Sequence, residues 1–263
     1  MDIHFGGSVV SLLNFIGLLV VSSTRLYVVM FVLPASGENV LEGMVRNGAV
    51  LLWSSLIAVG QAPSLTDFSA LNLVILCIRE AIIGLVIGMA ASTIFWAAEG
   101  LGVYLDDISS FNSVQISNPL RTEQSTPLSS ILSQFAISIF WSYGGMIALL
   151  GAIYQSYAWW PLHSIAPMPL EILKSFIGEN IDGLMLRIAK LTAPIVFILI
   201  LIDIGVGFVN RNAEKLELTN LSQPIKGILA ILMVALLTSM IIDQIKDELS
   251  LASFSGYLAR FLH

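Results

Sequence analysis

The chain has 263 residues, of which 56% are hydrophobic and 11% charged, against about 25% charged in an average soluble domain; its mean hydropathy is +0.87. That balance argues against a soluble globular protein. A net charge of −6, with no run of Lys or Arg, leaves nothing for the counterion release that drives nucleic-acid binding, and that class is excluded.

At the N-terminus, Met1-Asp2-Ile3-His4-Phe5-Gly6-Gly7 has no positively charged region and no small-residue cleavage site, so the first apolar segment is expected to remain in the mature protein. Stretches of about 20 apolar residues read as membrane-type helices, because a helix rises about 1.5 Å per residue across a roughly 30 Å hydrocarbon layer. Six such segments follow in order: 8–33 with Arg25 inside; 44–60, flanked by Arg46 and Asp67; 72–98 with Arg79-Glu80 near its start; 128–157; 184–209; and 225–242. Pro34 and Pro63 close the first two. The single cysteine, Cys77, lies in the third; it permits no intrachain disulfide and no cysteine-built metal site, and reads as a small buried hydrophobe.

The expected architecture is all-α, one domain over residues 1–263 with no soluble part. Two connections are longer than a helical bundle needs. Residues 99–127 are rich in Ser, Asn, Thr and Asp, and residues 158–182 carry Pro161, Pro167 and Pro169. Connections of this length tend to be functional, lids and plugs among them. Positive-inside counting ties: with the N-terminus inside, Lys174, Arg187, Lys246 and Arg260 fall on one side and Arg46, Arg121, Arg211 and Lys215 on the other. A chain this apolar without an orienting bias suits helices buried against protein rather than lipid.

Arg25, Arg79, Glu80, Glu99, Arg187, Lys190 and Asp203 sit in or at the ends of these segments, where an unpaired charge is unfavourable by several kcal/mol on most scales, of order 3 or more. Three readings stay open: ion pairs that fix the assembly, snorkelling of Arg25 and Arg79 to an interface, and a proton or ion pathway. Gly84-x3-Gly88-x3-Ser92 puts three small residues on one helix face, for a helix contact either inside the chain or between subunits. Asp203, Gly207, Asn210 and Glu214 make a narrow polar face in the fifth segment, with Gly205 adding a small position. That face either lines an interior or marks a helix leaving the membrane.

Enzyme chemistry is poorly supplied. His4, His163 and His263 lie in three separate regions, and there is no His-Glu-x-x-His, Gly-x-Ser-x-Gly or phosphate-binding Gly-rich loop. Asp106-Asp107, an adjacent acidic pair, reads as a loop turn or helix end in preference to a metal site. No cofactor or metal is expected.

An ordered series of motifs remains: Arg25 then Pro34, Arg46-Asn47, Arg79-Glu80-x3-Gly84-x3-Gly88, Phe95-Trp96-Ala97 with Gly100, and Leu105-Asp106. It continues through Phe140, Gly144-Gly145, Ser156-Tyr157, Pro161, Ala193-Pro194, Asp203-x-Gly205-x-Gly207, Asn210-Arg211-x-Ala213 and Pro224-x-Lys226. In order and spacing the series resembles the T component of the bacterial type III secretion export apparatus, the family of FliR-like export-gate proteins, over most of the chain. Two stretches depart from that pattern, Asp107-Ile108-Ser109-Ser110 and residues 214–219; the second leans towards the virulence-associated systems.

The resemblance implies a structural and gating subunit of the export gate in the bacterial inner membrane. It implies assembly with the R and S components into a closed helical ring threaded by unfolded substrates, with the switch (U) component and inner-rod or needle proteins as further partners. In that family the helices pack largely against other gate subunits, and the loop after the third apolar helix plugs the pore. Here that loop is about 105–128, with Leu105, Asp106, Phe111, Asn118 and Pro119 as plug residues. The implied packing positions are Arg79, Glu80, Gly84, Gly88, Asp203, Gly205, Gly207 and Arg211. A polar loop carrying Phe111, Val114 and Ile116 can seal a pore by apolar contact. The main rival reading is a six-helix secondary transporter for a small solute, using Arg79, Glu80, Glu99 and Asp203 as binding or proton-relay groups; a third is a membrane scaffold that only holds partners together.

Overall fold

The computed structural model describes residues 5–38, 40–61, 70–108, 126–162, 170–212, 226–229 and short stretches among 231–243. Among these residues there are helices and no strand. In chain order the helices are α1 (Phe5–Val32), a 3-10 turn (Pro34–Ser36), α2 (Gly43–Gln61), α3 (Ala70–Ile108), α4 (Pro127–Ser142), α5 (Gly145–Trp159) and α6 (Leu170–Asn212); residues 226–229 are helical as well. Four of them contain spans long and apolar enough to cross a membrane: Asn14–Val32, Gly43–Gly60, Leu71–Ile108 and Thr192–Val209; α4 and α5 pass the same test only as a pair bent by 71°, the form of a broken span or a re-entrant loop.

The structure redraws three of the expected boundaries. Segment 128–157 is two helices, because the chain turns at Tyr143 and Gly144, where Gly144 takes φ 71°, a left-handed conformation that a side chain disfavours. Gly145 is needed for a different reason, since a Cβ there would lie 2.4 Å from the Phe140 ring. Helix α3 continues ten residues past the expected 98, because Leu101 and Leu105 are fully buried and keep the helical apolar period running through the acidic end of the segment. Helix α6 starts at Leu170, inside the expected 158–182 connection, directly after Pro169, where the chain leaves its proline-rich stretch.

Contacts divide the chain into two compact units, one drawn from Met1–Ser92 and Met146–Gly178, the other from Thr93–Gly145 and Glu179–Ser253. In the first, α1 supplies a buried stripe of Leu18, Val21, Leu26, Val29 and Met30, and α3 supplies Ile83, Val86 and Ile87. The Gly84-Gly88-Ser92 face of α3 meets α1 of the same chain. A Cβ on Gly84 would sit 2.5 Å from the Arg25 carbonyl oxygen, and one on Gly88 would sit 3.2 Å from Val29 Cα. Pro34 ends α1 and removes the N–H that would have bonded the Met30 carbonyl; the Ser36 hydroxyl donates to that carbonyl instead, at 2.6 Å.

In the second unit the Phe95 and Phe140 rings meet in a T-shaped arrangement, with centroids 5.4 Å apart, and Gly102 lets α3 close on the start of α4, where a Cβ would run into the Ser129 backbone. Helix α6 approaches α3 at Gly100, whose Cβ would be 2.8 Å from Ile188 Cδ1.

Gly84→Ala should lower the melting temperature of the detergent-solubilised protein, at about 1–3 kcal/mol for overpacking against fixed backbone. Gly48→Ala, on α2 with nothing within 4 Å of its Cβ position, should leave it unchanged or raise it. Equal effects at the two positions would count against the close approach.

Candidate functional site

Among the described residues of the first unit, Arg25 and Glu80 are the most deeply enclosed charges, both with side chains 0% exposed. Arg25 lies on the α1 face that meets α3, one residue from the buried Leu26. Its Nε donates to Glu80 Oε2 at 2.7 Å, and Nη2 lies 2.7 Å from the same oxygen. Nη1 donates to Ser156 Oγ at 2.7 Å, and Nη2 reaches the Trp160 carbonyl at 3.1 Å. The guanidinium carbon stands 3.8 Å from the centre of the Tyr157 ring, within cation–π range.

Arg79, the neighbour of Glu80, donates from Nη2 to the Pro161 carbonyl at 3.0 Å and lies 3.8 Å from Glu80 Oε1. Two cations and one anion are thus gathered at the end of α5. The surplus positive charge faces the carbonyl-rich, partially negative terminus of that helix, which is the favourable arrangement for a helix dipole. Ser156 passes the connection on, donating to the Ile153 carbonyl at 2.6 Å, and Tyr157 Oη donates to the Ser22 carbonyl on α1 at 3.0 Å. Snorkelling is overturned for both arginines: Arg25 has no exposed surface and Arg79 has 8%.

A second polar feature belongs to the other unit. Thr126, at the N-cap of α4, makes no side-chain cap hydrogen bond, and Pro127 occupies the first turn. The cap comes instead from Asp106 on the last turns of α3, whose Oδ2 accepts from Leu128 N at 2.9 Å and Ser129 N at 3.3 Å. Those are two of the N–H groups a helix start leaves unsatisfied. Asp106 and Leu105 are buried, so both belong to helix α3 and the connection proper begins after Ile108. Phe111, Asn118 and Pro119 lie outside the described residues.

Asp203, on α6, pairs with Lys226 Nζ. Nothing lies within 4 Å of a Cβ built on Gly205 or Gly207. Arg211 lies in the last turn of α6, and its side chain is outside the described set, as is that of Arg187. The structure therefore brings Arg79, Glu80 and Gly84 together around Arg25, while Asp106 and Asp203 each hold a separate place.

Sequence reasoning asked for partners to the buried charges but missed Ser156, the Tyr157 ring and the carbonyls of Trp160 and Pro161; Ser156-Tyr157 and Pro161 stood out only as motif pieces. The capping role of Asp106 carried no local signal, because its acceptors' partners lie 22 and 23 residues further along. Among the described residues no group of three or more His, Cys, Asp or Glu could hold a metal ion.

A family model of bacterial export proteins, family 1, matches residues 16–252. The Yop proteins translocation protein T of Yersinia pestis is 31% identical over 208 residues, covering 78% of this chain and 79% of that protein. The secretion system apparatus protein SsaT of Salmonella typhimurium is 31% identical over 166 residues, 63% of this chain and 62% of SsaT. The flagellar biosynthetic protein FliR of Bacillus subtilis is 24% identical over 178 residues, 67% and 69% of the two chains.

Two variant series separate these features. Glu80→Leu should destabilise the protein by about 3–5 kcal/mol, because it strands Arg25 without a counter-charge, and adding Arg25→Met should regain most of that loss; additive losses in thermal melts would refute the pairing. Asp106→Ala should lose about 0.5–2 kcal/mol, while Asp106→Asn, which still accepts from the helix start, should keep most of it.

Proposed function

We propose for this chain, which belongs to the bacterial export proteins, family 1, the role of a structural and gating subunit in the export gate of a type III secretion apparatus. The observation that carries this reading is the family match along residues 16–252, joined to a long alignment with a translocation protein at 31% identity. Membership in an export family makes the chain a component of protein export and not an enzyme. Its helices with membrane-crossing length and composition make it a multi-pass membrane protein, and within the proposal that membrane is the bacterial inner membrane.

In this reading the chain assembles with the R and S components into a helical ring through which unfolded substrates pass, next to the U component and the inner-rod or needle proteins. The connection after α3 serves as the plug. Two features support a plug of that kind. Asp106 ties the end of α3 to the start of α4, so the connection leaves from and returns to a fixed base. Its sequence combines Phe111, Val114 and Ile116 with Ser and Asn, apolar enough to seal and polar enough to be wetted when displaced. At about 1.5 Å per residue, the 39 residues of α3 reach nearly twice the roughly 30 Å hydrocarbon layer, which suits a helix packed into a larger assembly.

Deleting residues 107–118 tests both levels of the proposal. Native mass spectrometry of the unaltered protein, extracted mildly from cells that also carry its neighbouring genes, should give one assembly with several copies of two other small hydrophobic subunits. The deletion variant should assemble alike and make the membrane leaky to small solutes. A free monomer or dimer in the first measurement would remove the gate reading; an assembled, tight deletion variant would remove the plug alone.

A further inference from the structure

The two oxygens of Glu80 are treated unequally. Oε2 takes Nε of Arg25 at 2.7 Å and Nη2 at 2.7 Å, so both donors of that guanidinium edge converge on one atom. Oε1 is buried and makes no hydrogen bond among the described residues. Arg79 Nη2 stands 3.8 Å from it, beyond the reach of a direct hydrogen bond. That nitrogen is held in place, since it also donates to the Pro161 carbonyl at 3.0 Å, and closing on Glu80 would stretch the bond it already makes.

A buried carboxylate oxygen that finds no donor keeps the full penalty of leaving water, and native structures meet such a group with a partner or an ordered water. A proton on Oε1 would not remove the deficit; it would exchange an unmet acceptor for an unmet donor. A gap of 3.8 Å between cation and anion is instead one that a water oxygen can bridge from the side, at about 3 Å from each. The surrounding groups supply what that water needs. Arg79 donates to its oxygen, Glu80 Oε1 accepts one proton, and the carbonyls of Trp160 and Pro161, each bonded by an arginine, have a second lone pair for the other. Partners of that kind, about three in number, are the usual complement of a buried water. Arg79, 8% exposed beside the fully enclosed Glu80, marks the side from which water enters.

We propose that Glu80 Oε1 and Arg79 Nη2 form a binding site for one water molecule, held as a structural part of the charge cluster. The two arginines then have different tasks. Arg25 bonds the carboxylate directly and ties α1 to α3 and α5; Arg79 reaches the same carboxylate through the water, and so couples it to the backbone that leaves α5. The cluster is hydrated at its Arg79 side and dry at its Arg25 side. This inference rests on the geometry of the first unit and on neither the gate nor the plug.

A structure of the unaltered chain in its native assembly, determined finely enough to show ordered waters, tests the site directly. A density peak within hydrogen-bond reach of both Glu80 Oε1 and Arg79 Nη2 is expected. Direct contact between Arg79 and Oε1, a side chain of another residue or protein in that place, or an unmoved pair with no density between them overturns the proposal. Radiolytic footprinting of the full chain in native membranes gives an independent reading, because a bound water splits into hydroxyl radicals where it sits and oxidises nearby rings whatever their burial. Tyr157 is 5% exposed, with its ring against the Arg25 guanidinium; Phe140 is 2% exposed and packs on Phe95. Oxidation is expected at Tyr157 and not at Phe140, and it should persist when a scavenger quenches radicals in bulk solvent. Loss of the Tyr157 signal with the scavenger, or labelling no greater than that of Phe140, overturns the site.

Discussion

A guanidinium and a carboxylate without exposed surface, 55 residues apart in the chain, set the conditions for everything packed around them. Removing two charges from water carries a penalty of several kcal/mol per ion, of order 3 or more, and attraction between them offsets it only if the remaining donors and acceptors are also satisfied. Arg25 meets its side of that condition by spreading its donors over three partners, Glu80 on α3, Ser156 on α5 and the Trp160 carbonyl just beyond it, while Glu80 Oε1 makes no hydrogen bond among the described residues and has only the Arg79 guanidinium at 3.8 Å. The pair consequently fixes the register of α1 against α3 and the place where α5 ends. A one-residue slip of any of these helices would leave a buried charge with nothing to bond.

The small residues follow from this geometry. Hydrogen bonds of 2.7 Å between side chains on neighbouring helices need backbones that approach closely, and Gly84 stands against the Arg25 backbone itself. The glycine and the ion pair are thus two sides of one contact, four residues apart on α3. The second unit repeats the logic with different chemistry: Gly102 brings α4 close to α3, and Asp106, four residues on, bonds the N–H groups of the helix it meets. In both places a glycine sets the separation and an acidic side chain one turn away holds the neighbour.

Much of the helical outline was legible. Long apolar runs stopped by proline define α1 and α2 within a few residues of 8–33 and 44–60, because hydropathy and a missing N–H are local properties. The turn at Gly144 was not, since the left-handed residue and the ring contact of Gly145 emerge only once Phe140 has a place in the core. Likewise the end of α3 read as a polar loop, because Glu99, Asp106 and Asp107 mask the buried Leu101 and Leu105, and because the groups that satisfy Asp106 come from the next helix. For the charged cluster the need for partners was visible and their identity was not; Arg25 and Ser156 are separated by 131 residues, and nothing in either neighbourhood names the other.

That separation has a consequence for how the chain is made. At about 5–20 residues per second of synthesis, Glu80 leaves the ribosome roughly 3–11 s after Arg25, and Ser156 and Trp160 come later still. During that interval α1 is an apolar helix with an unanswered cation in its middle, a poor candidate for settling alone in a bilayer. Its final seat exists only after α3 has been synthesised, and its full set of hydrogen bonds only after α5. The first helix to be translated is therefore among the last to be completely placed, and the insertion machinery, or a hydrated surface, must shelter Arg25 until its partners arrive.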